Sequence, residues 1–350
     1  MKNLGYNLVK VWIKASLYLY HGKIKVSGLE NIPKDKPVLF LPNHQSALLD
    51  VLLIAVDCVR KPYFLTRSDV FTNRALIAIF DYFQMIPIYR IRDGRDSLKN
   101  NQAVFERCAK LLERGEALLM FPEANHNLRR RVRPLSKGFT RILFAALEKQ
   151  PNLDIQLVPV GLNYRNATAF PDQMAINYGK AIPLQDFIVK NDQQVSIAKI
   201  KAEVTGALLH LTTHIDDEEN YDTILERLEA KEINFLYPKK VNATIEEIDI
   251  SSEIPEKAKR KTNVFFLLLK LVFTLLNFPM LLLWRTFGKP KVWEPEFMGT
   301  LRFAFALLAY PMYYLLLFLV VGFLLTWSIG LASAFGLFLF NFMFVKSTKI

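Results

Sequence analysis

The stretch VLFLPNHQSALLDVLLIAVDCV (residues 38–59) indicates how the fold is built. Its first residues form a short apolar run bounded by Pro37 and Pro42, which is typical of a buried strand. A polar loop follows, and Ser46 is a residue type that often precedes a helix. The apolar residues after it predict that helix. The stretch is therefore a strand–loop–helix unit with a histidine, His44, in its loop.

The same alternation recurs further along the chain. We predict strands at MIPIYR (85–90), ALLMFPE (117–123) and IQLVPVGLNY (155–164), and helices at 97–115 and 138–150. Strands that alternate with helices favour an α/β fold, with a mixed, mostly parallel sheet flanked by helices.

Polar residues come directly after three of the predicted strands. His44, Arg90 and Glu123 all stand at or just beyond a strand's carboxyl end. In sheets of this class the carboxyl ends of the strands carry the chemistry. We therefore expect these three side chains to meet at one edge.

Composition narrows the class of partner. Hydrophobic residues make up 51% of the 350 residues and charged residues 22%, which excludes global disorder. The net charge of +12 favours anionic partners, and the apolar C-terminal part makes membrane lipid a better prediction than nucleic acid. Cys58 and Cys108 lie in apolar helical patterns, so we expect reduced, buried thiols and neither a disulfide nor a zinc site.

The two ends of the chain differ from its centre. Residues 1–24 are interpreted as an amphipathic helix that lies at a membrane surface, with Leu8, Trp12, Leu17 and Tyr20 available for the interface. A globular α/β domain at 25–235 and a charged linker at 236–262 precede a hydrophobic part at 263–346.

The hydrophobic part predicts C-terminal transmembrane helices. Residues 264–284 form an apolar run that Lys270 and Pro279 interrupt, which favours a re-entrant or in-plane segment. Residues 303–345 contain no charge, and at about 20 residues per span they suit two passes. Three full spans remain an alternative. Basic residues flank every run, so the positive-inside rule predicts cytoplasmic flanks: Lys257, Lys259, Arg260, Lys261, Arg285, Lys289, Lys291, Arg302, Lys346 and Lys349.

His44 and Asp50 are candidate catalytic partners. A histidine can take a proton from a hydroxyl near neutral pH when a carboxylate fixes its tautomer and stabilises the imidazolium. The alternative is structural: a histidine at the helix start and an acid favoured by the helix dipole. The two residues alone do not decide between these interpretations.

Four short sequence motifs, which follow one another along the chain, favour the catalytic interpretation. PNHQSALLD (42–50) resembles the N-H-x-S-x-x-D block of the glycerol-phosphate and lysophosphatidate acyltransferase superfamily. QMIPIYR (84–90), FPEANHNLRRRVRPLSKG (121–138) and LVPVGL (157–162) resemble that superfamily's second, third and fourth blocks. The resemblance covers roughly residues 25–235.

The resemblance implies roles for individual residues. His44 would be the general base and Asp50 its orienting partner, while Arg90 would contact the acceptor phosphate and Pro159 would line the acyl site. The remaining positions of the first and third blocks would bind substrate: Asn43, Ser46, Glu123, Ala124, Asn125, Arg129, Arg130 and Arg131.

The chain departs from the family pattern at two places. Five residues separate His44 from Asp50, where the family has four. Neither spacing stacks the pair on one helix face, so His44 must lie in the loop before the helix. In the third block Ala124-Asn125-His126 replaces Gly-Thr-Arg, and an arginine from the basic run at 129–133, Arg133 included, would have to supply the missing charge.

The expected function is acyl transfer at a membrane. A fatty acyl group would pass from acyl-CoA or acyl carrier protein to a free hydroxyl of 1-acylglycerol 3-phosphate or glycerol 3-phosphate, with no metal or cofactor. Dihydroxyacetone phosphate is a further possible acceptor, and backbone amides of the His44 loop are possible oxyanion donors. The protein would be integral to a membrane, with its catalytic domain facing the cytoplasm. Two alternatives stay open: a lipid-binding protein without transfer activity, and an esterase with Ser46 as nucleophile, although the chain lacks a G-x-S-x-G elbow.

Overall fold

The computed structural model describes residues 2–89, 100–249 and 264–347. The strands in these ranges are β1 Lys23–Ser27, β2 Val38–Pro42, β3 Tyr63–Arg67, β4 Met85–Ile88, β5 Ala117–Leu119, β6 Gln156–Tyr164, β7 Gln173–Tyr178 and β8 Ile182–Pro183. The helices are α1 Lys2–Tyr20, α2 Ala47–Asp57, α3 Arg74–Tyr82, α4 Asn101–Glu113, α5 Gly138–Lys149, α6 Gln193–Leu211, α7 Tyr221–Ala230, α8 Pro238–Glu246, α9 Val264–Leu276, α10 Phe278–Leu283, α11 Met298–Leu324 and α12 Trp327–Ser347.

The described strands form a single mixed sheet. Its order is β1-β7-β6-β2-β5-β3-β4, with β8 paired to β6. β6 runs antiparallel to β7 and β8, and the other pairs are parallel. The prediction of a mixed, mostly parallel sheet flanked by helices is confirmed.

Strand β2 explains why helices cover both faces. Its residues are apolar throughout and fully buried. Leu39 and Leu41 pack on the side of α4, α5 and α6, whereas Val38 and Phe40 pack on the side of α1 and α2. Successive side chains of a strand point to opposite faces, so a strand without polar residues needs cover on both sides.

Helix α1 differs in part from its predicted role. Leu8 and Trp12 are exposed, as a membrane-surface helix requires. Leu17 and Tyr20 are instead buried, and both belong to the core on the α2 side of the sheet. The prediction that all four residues face an interface is therefore wrong for these last two, because the C-terminal half of α1 packs against the domain.

The predicted linker at 236–262 begins as ordered structure. Residues 238–246 form α8, and its buried Val241 packs with Ile224, Leu228 and Phe235 in a small core under α7. The charges in this stretch occupy the outer face of a packed helix, and the linker interpretation fails there for that reason.

The C-terminal helices pack as a bundle beside the sheet. α9 and α10 are bent by 76° where they meet, at Asn277 just before Pro279. Pro295–Leu324 and Trp327–Ser347 are long and apolar enough to cross a membrane by length and composition, and the bent pair adds a third candidate if it counts as one span. Phe273 of α9 stacks on Phe344 of α12 at 4.0 Å between ring centroids.

Candidate active site

The centre of the site is a short loop between β2 and α2. His44 lies in this loop, and its Nδ1 is 2.8 Å from Oδ2 of Asp50 in the first turn of α2. Asp50 is completely buried, while His44 keeps part of its side chain exposed. The extra residue between the two is therefore accommodated in the loop. Because Nδ1 faces the carboxylate, Nε2 is the nitrogen left to exchange a proton with a substrate.

Asp50 is held by four hydrogen bonds. Besides His44, its Oδ2 accepts the backbone N–H groups of Gln45 and Ser46, each at 2.8 Å. Its Oδ1 accepts the hydroxyl of Tyr164 at 2.6 Å. Burial and the neighbouring carboxylate raise the pKa of Tyr164 well above its usual value, so the phenol keeps its proton and donates. Hydrogen bonds from N–H and O–H donors to a carboxylate are stronger than those between neutral groups, so these contacts fix the position of Asp50.

The backbone amides of the His44 loop were expected to stabilise the oxyanion that forms during acyl transfer. The N–H groups of Gln45 and Ser46 already donate to Asp50. These two amides are therefore not available to stabilise an oxyanion, and the expected role stays a prediction for the other amides of the loop.

Asn43 is a structural anchor for the loop. Its side-chain amide donates to the carbonyl of Leu162 at 3.1 Å and accepts the N–H of Leu162 at 2.7 Å. This two-way bond ties the loop to β6. The predicted substrate-binding role of Asn43 is not supported, because both ends of its amide are bonded to the sheet.

Ser46 is enclosed in the same region. It is fully buried, and its Oγ lies 3.4 Å from the carbonyl oxygen of Glu296. A serine nucleophile needs an accessible hydroxyl bonded to a base. Its placement therefore argues against both the esterase interpretation and a direct contact with substrate.

Aromatic rings surround the imidazole of His44. Phe121 stacks on it with 3.8 Å between centroids, and His126 approaches it edge-on at 5.5 Å. The carbonyl of His44 accepts the N–H of Asn127 at 3.0 Å. Burial and the neighbouring His44 lower the pKa of His126, which favours its neutral form. The third block thus lies against the first, as predicted.

Glu123 forms a buried ion pair with Arg133. Its Oε2 accepts from Nη2 and Nε of Arg133 at 2.6 and 3.0 Å. Burial raises the pKa of Glu123, although Arg133 opposes that rise. Nη2 also donates to the carbonyl of Asn125. Of the arginines proposed to replace the family's, Arg133 is the one that reaches this loop.

Ala124 explains why the family has glycine at its position. Its φ is +66°, in the left-handed region that glycine adopts without cost. Ala124 and Asn125 are exposed at the turn. The turn therefore has a backbone conformation that suits the glycine of the family pattern better than alanine.

The other three arginines have partners elsewhere. Arg130 donates to the carbonyls of Tyr164 and Arg165 and lies 3.6 Å over the ring of Phe235. Burial lowers its pKa to about 10.

The two flanking arginines are also held on this side. Arg131 pairs with Asp216 and Glu218, and Arg129 stacks on Tyr221. The prediction that Arg129–Arg131 bind the phosphate is not supported, because all three guanidiniums are engaged within the protein: Arg130 by the end of β6 and Phe235, and Arg129 and Arg131 by α7 and the segment before it.

Two predicted site residues remain, Arg90 and Pro159. Arg90 falls outside the described residues, so its phosphate-binding role stays a prediction. Pro159 is buried within β6, opposite Leu41, and its carbonyl accepts the N–H of Gly179. It does not line the apolar cavity described below, so that cavity does not support its acyl-site role.

Sequence reasoning missed two contributors to the site. Tyr164 ends β6, 114 positions from the carboxylate that it contacts. The segment Glu294–Thr300 lies further still, yet Phe297 contacts the ring of His126 at 4.9 Å between centroids. Neither has a local sequence signal, because only the fold brings them to the loop.

One group of side chains near the site has the composition of a metal ligand set. Ligand atoms of His126, Glu294 and Glu296 all lie within 4.8 Å of one another. Glu294 is exposed, and exposed carboxylates commonly cluster without an ion. The arrangement of His44 and Asp50 does not depend on this group.

An apolar cavity opens on the helix side of the loop. Its volume is about 330 Å³, and it lies among α1, α2, α3 and α11. Leu48, Leu49 and Thr300, next to the catalytic loop, contribute to its lining.

Comparison with known proteins provides evidence that is independent of the site's geometry. Residues 23–163 match the sequence model of the family described as Acyltransferase. A 1-acyl-sn-glycerol-3-phosphate acyltransferase of Chlamydomonas reinhardtii is 30% identical over 183 residues, covering 49% of this chain and 50% of that protein. The enzyme of the same name from Borreliella burgdorferi is 28% identical, covering 39% of this chain and 52% of that protein.

Two further similarities are weaker. Glycerol-3-phosphate O-acyltransferase 2 of Saccharomyces cerevisiae is 23% identical, covering 39% of this chain and 18% of that protein. This chain therefore spans about half, or less, of the length of these curated relatives. The crystal structure of a 1-acyl-sn-glycerophosphate acyltransferase from Thermotoga maritima aligns with a TM-score of 0.40 and 16% identity, covering 59% of this chain and 81% of that one.

Proposed function

We propose that this chain, whose residues 23–163 match the sequence model of the acyltransferase family, transfers a fatty acyl group from a thioester donor to a hydroxyl of a glycerol phosphate. The acceptor is 1-acylglycerol 3-phosphate or glycerol 3-phosphate, and the donor is acyl-CoA or acyl carrier protein. The names of the similar enzymes support this class of acceptor. The observation that carries the proposal is the 2.8 Å contact between His44 Nδ1 and the buried Asp50.

The proposed reaction is a single displacement within a ternary complex. Nε2 of His44 accepts the proton of the acceptor hydroxyl as its oxygen attacks the thioester carbonyl carbon. Asp50 holds the ring in the tautomer with Nδ1 protonated and stabilises the imidazolium. The carbon–sulfur bond then breaks, and the departing thiolate takes the proton back from His44. The products are an ester and a free thiol, and His44 is regenerated.

Phosphate recognition is assigned to two arginines, Arg90 and Arg133. Arg90 carries the family's motif position, and Arg133 lies beside the third block through its pair with Glu123. Guanidinium groups match phosphate oxygens in geometry and keep their charge. A phosphate fixed there would place the neighbouring hydroxyl at His44, and most of the rate gain would come from this positioning.

We propose that α11 and α12 cross the bilayer as a hairpin. The 27 residues of α11 extend about 40 Å at 1.5 Å per residue, more than the roughly 30 Å of a hydrocarbon core. Both free ends of the hairpin contact the catalytic domain. Arg302 donates to the carbonyl of Thr168, and Lys346 to those of Tyr18 and His21. The catalytic domain and the basic flanks therefore share one side, which the positive-inside rule assigns to the cytoplasm.

An acyl-transfer assay on the purified full chain tests the proposal. Each acceptor is offered with acyl-CoA and with acyl carrier protein, and ester formation is measured. We expect transfer by the natural chain and loss of at least about a hundredfold in kcat for His44→Ala, since general-base catalysis contributes about 10²–10⁴-fold. His210→Ala is the matched control, because His210 is exposed on α6. Equal rates of transfer for His44→Ala and His210→Ala would refute the mechanism, whereas absence of transfer by the natural chain would favour a lipid-binding role.

A further inference from the structure

Helix α2 has an unusual arrangement at its N-terminus. Ser46 precedes the helix, but its side chain makes no capping hydrogen bond. The first N–H groups of a helix have no partner within the helix, and a side chain at this position normally accepts one of them. Here the N–H of Leu49 donates to Oγ1 of Thr300, at 3.0 Å. Thr300 belongs to α11, more than 250 positions away from Ser46.

Thr300 contacts the catalytic loop a second time. Its Oγ1 donates to the carbonyl of Ser46, at 3.4 Å. The hydroxyl of Thr300 therefore links Ser46, the residue before α2, to Leu49 in the first turn of α2. Asp50 is the next residue after Leu49. Thr300 is buried, so water does not readily replace its hydroxyl.

The loop that Thr300 holds is strained. Ala47, between Ser46 and Leu48, has a φ of +32°, a region that alanine rarely adopts. Such a conformation persists only when its surroundings fix it. Asp50 fixes one side through the amides of Gln45 and Ser46. Thr300 fixes the other side through the amide of Leu49 and the carbonyl of Ser46.

Close approach of the two backbones makes these contacts possible. A Cβ on Gly299 would stand 3.1 Å from Ser46 Oγ and 3.1 Å from the carbonyl of Ala167, tighter than ordinary contact. The neighbouring Phe303 packs into the core beside Tyr20. The first turn of α11 is thus seated on the loop by packing as well as by hydrogen bonds.

We propose that Thr300 is a positioning residue for the reaction, through which the first candidate membrane helix holds the His44–Asp50 pair in register. This inference rests on the proposed function. It assigns a part of the active site to residues outside the 23–163 match to the acyltransferase family. Loss of the hydroxyl would let the strained loop relax and move His44 away from the attacking oxygen. The binding surfaces for the two substrates would stay in place.

The test compares Thr300→Val with Thr300→Ser in the full chain. Valine keeps the branched shape without a hydroxyl, and serine keeps the hydroxyl. We expect Thr300→Val to lower kcat about tenfold with KM changed less than twofold, and Thr300→Ser to restore most of the rate. Thr286→Val is the matched control, because that exposed hydroxyl bonds only to carbonyls of its own helical segment.

Hydrogen exchange separates this proposal from the proposed function. In Thr300→Val, the peptide that contains Leu49 should exchange faster than in the natural chain or in Thr300→Ser. A kcat within twofold of the natural chain, or equal losses in the valine and serine variants, would overturn the positioning role. Absence of transfer by the natural chain would overturn the proposed function instead, and the exchange rate of Leu49 would still report whether Thr300 holds the loop.

Discussion

The hydroxyl of Tyr164 offers a sharp test of how Asp50 is held. Oδ2 of Asp50 accepts from Gln45, Ser46 and His44, whereas Tyr164 is the donor to Oδ1 in the described structure. Tyr164→Phe removes that donor and leaves one oxygen of a fully buried carboxylate without its partner. We therefore expect both stability and rate to fall.

The magnitude follows from the kind of bond that is lost. Hydrogen bonds to charged groups contribute about 1.5–3 kcal/mol. At roughly 2–4 °C per kcal/mol, the melting temperature should fall by about 3–12 °C. The carboxylate would also turn toward other donors and align Nδ1 of His44 less well. We expect a fall in kcat of about tenfold, equivalent to roughly 1.4 kcal/mol, with KM nearly unchanged.

Tyr178→Phe is the matched control for this experiment. Tyr178 is equally buried in the neighbouring strand β7, and its hydroxyl has no hydrogen-bond partner within the described residues. Removal of that hydroxyl should leave kcat unchanged and the melting temperature equal or higher. The reasoning is refuted if the two phenylalanine variants behave alike in thermal unfolding and in acyl transfer.

Three further outcomes are expected. Because φ at position 124 is +66°, Ala124→Gly should leave the melting temperature unchanged or higher. Ala124→Val should destabilise the folded protein by about 1–2 kcal/mol. Thermal unfolding of both variants checks this. Glu123→Gln should lower thermal stability and raise KM for the phosphorylated acceptor, since it leaves Arg133 without its charged partner; an unchanged KM would contradict the assigned role. Burial raises the pKa of Asp172 from 3.8 to about 7. Its neutral form is therefore favoured in the folded state, and this stabilisation is present below about pH 4 and lost as the pH rises through about 7. Asparagine cannot ionise, so Asp172→Asn should lose less stability than the natural chain between pH 4 and pH 8, by an amount of the order of a few kcal/mol. Melting curves over this pH range measure the difference.

Local patterns predicted the parts of the site that are close in sequence. β2, the loop and α2 follow one another within the stretch 38–59, so apolar runs and a helix-start residue were enough to place His44 at a strand end. The position of His44 in the loop before α2 could also be anticipated, because helix geometry excluded a stacked pair on one helix face.

Distant contacts explain what the sequence did not predict. The basic run at 129–133 looked like a phosphate site, but its partners Tyr221 and Phe235 lie about 90 or more positions further along the chain. No local spacing indicates that Arg130 caps two backbone carbonyls. Tyr164 and Thr300 reach the site in the same way, through β6 and α11.

The edge of the predicted linker shows a related effect. The charges at 236–249 suggested a solvated segment, yet α8 buries Val241 against α7. One apolar residue per helical turn is enough to dock a short helix when its other faces are charged.

The most direct test of the account is acyl transfer by the His44→Ala and Asp50→Asn variants beside the natural chain. We expect the natural chain to form ester from a thioester donor and a glycerol-phosphate acceptor, His44→Ala to lose at least about a hundredfold in kcat, and Asp50→Asn to lose activity while KM stays similar. Natural rates in both variants would contradict the claim that this pair carries the reaction.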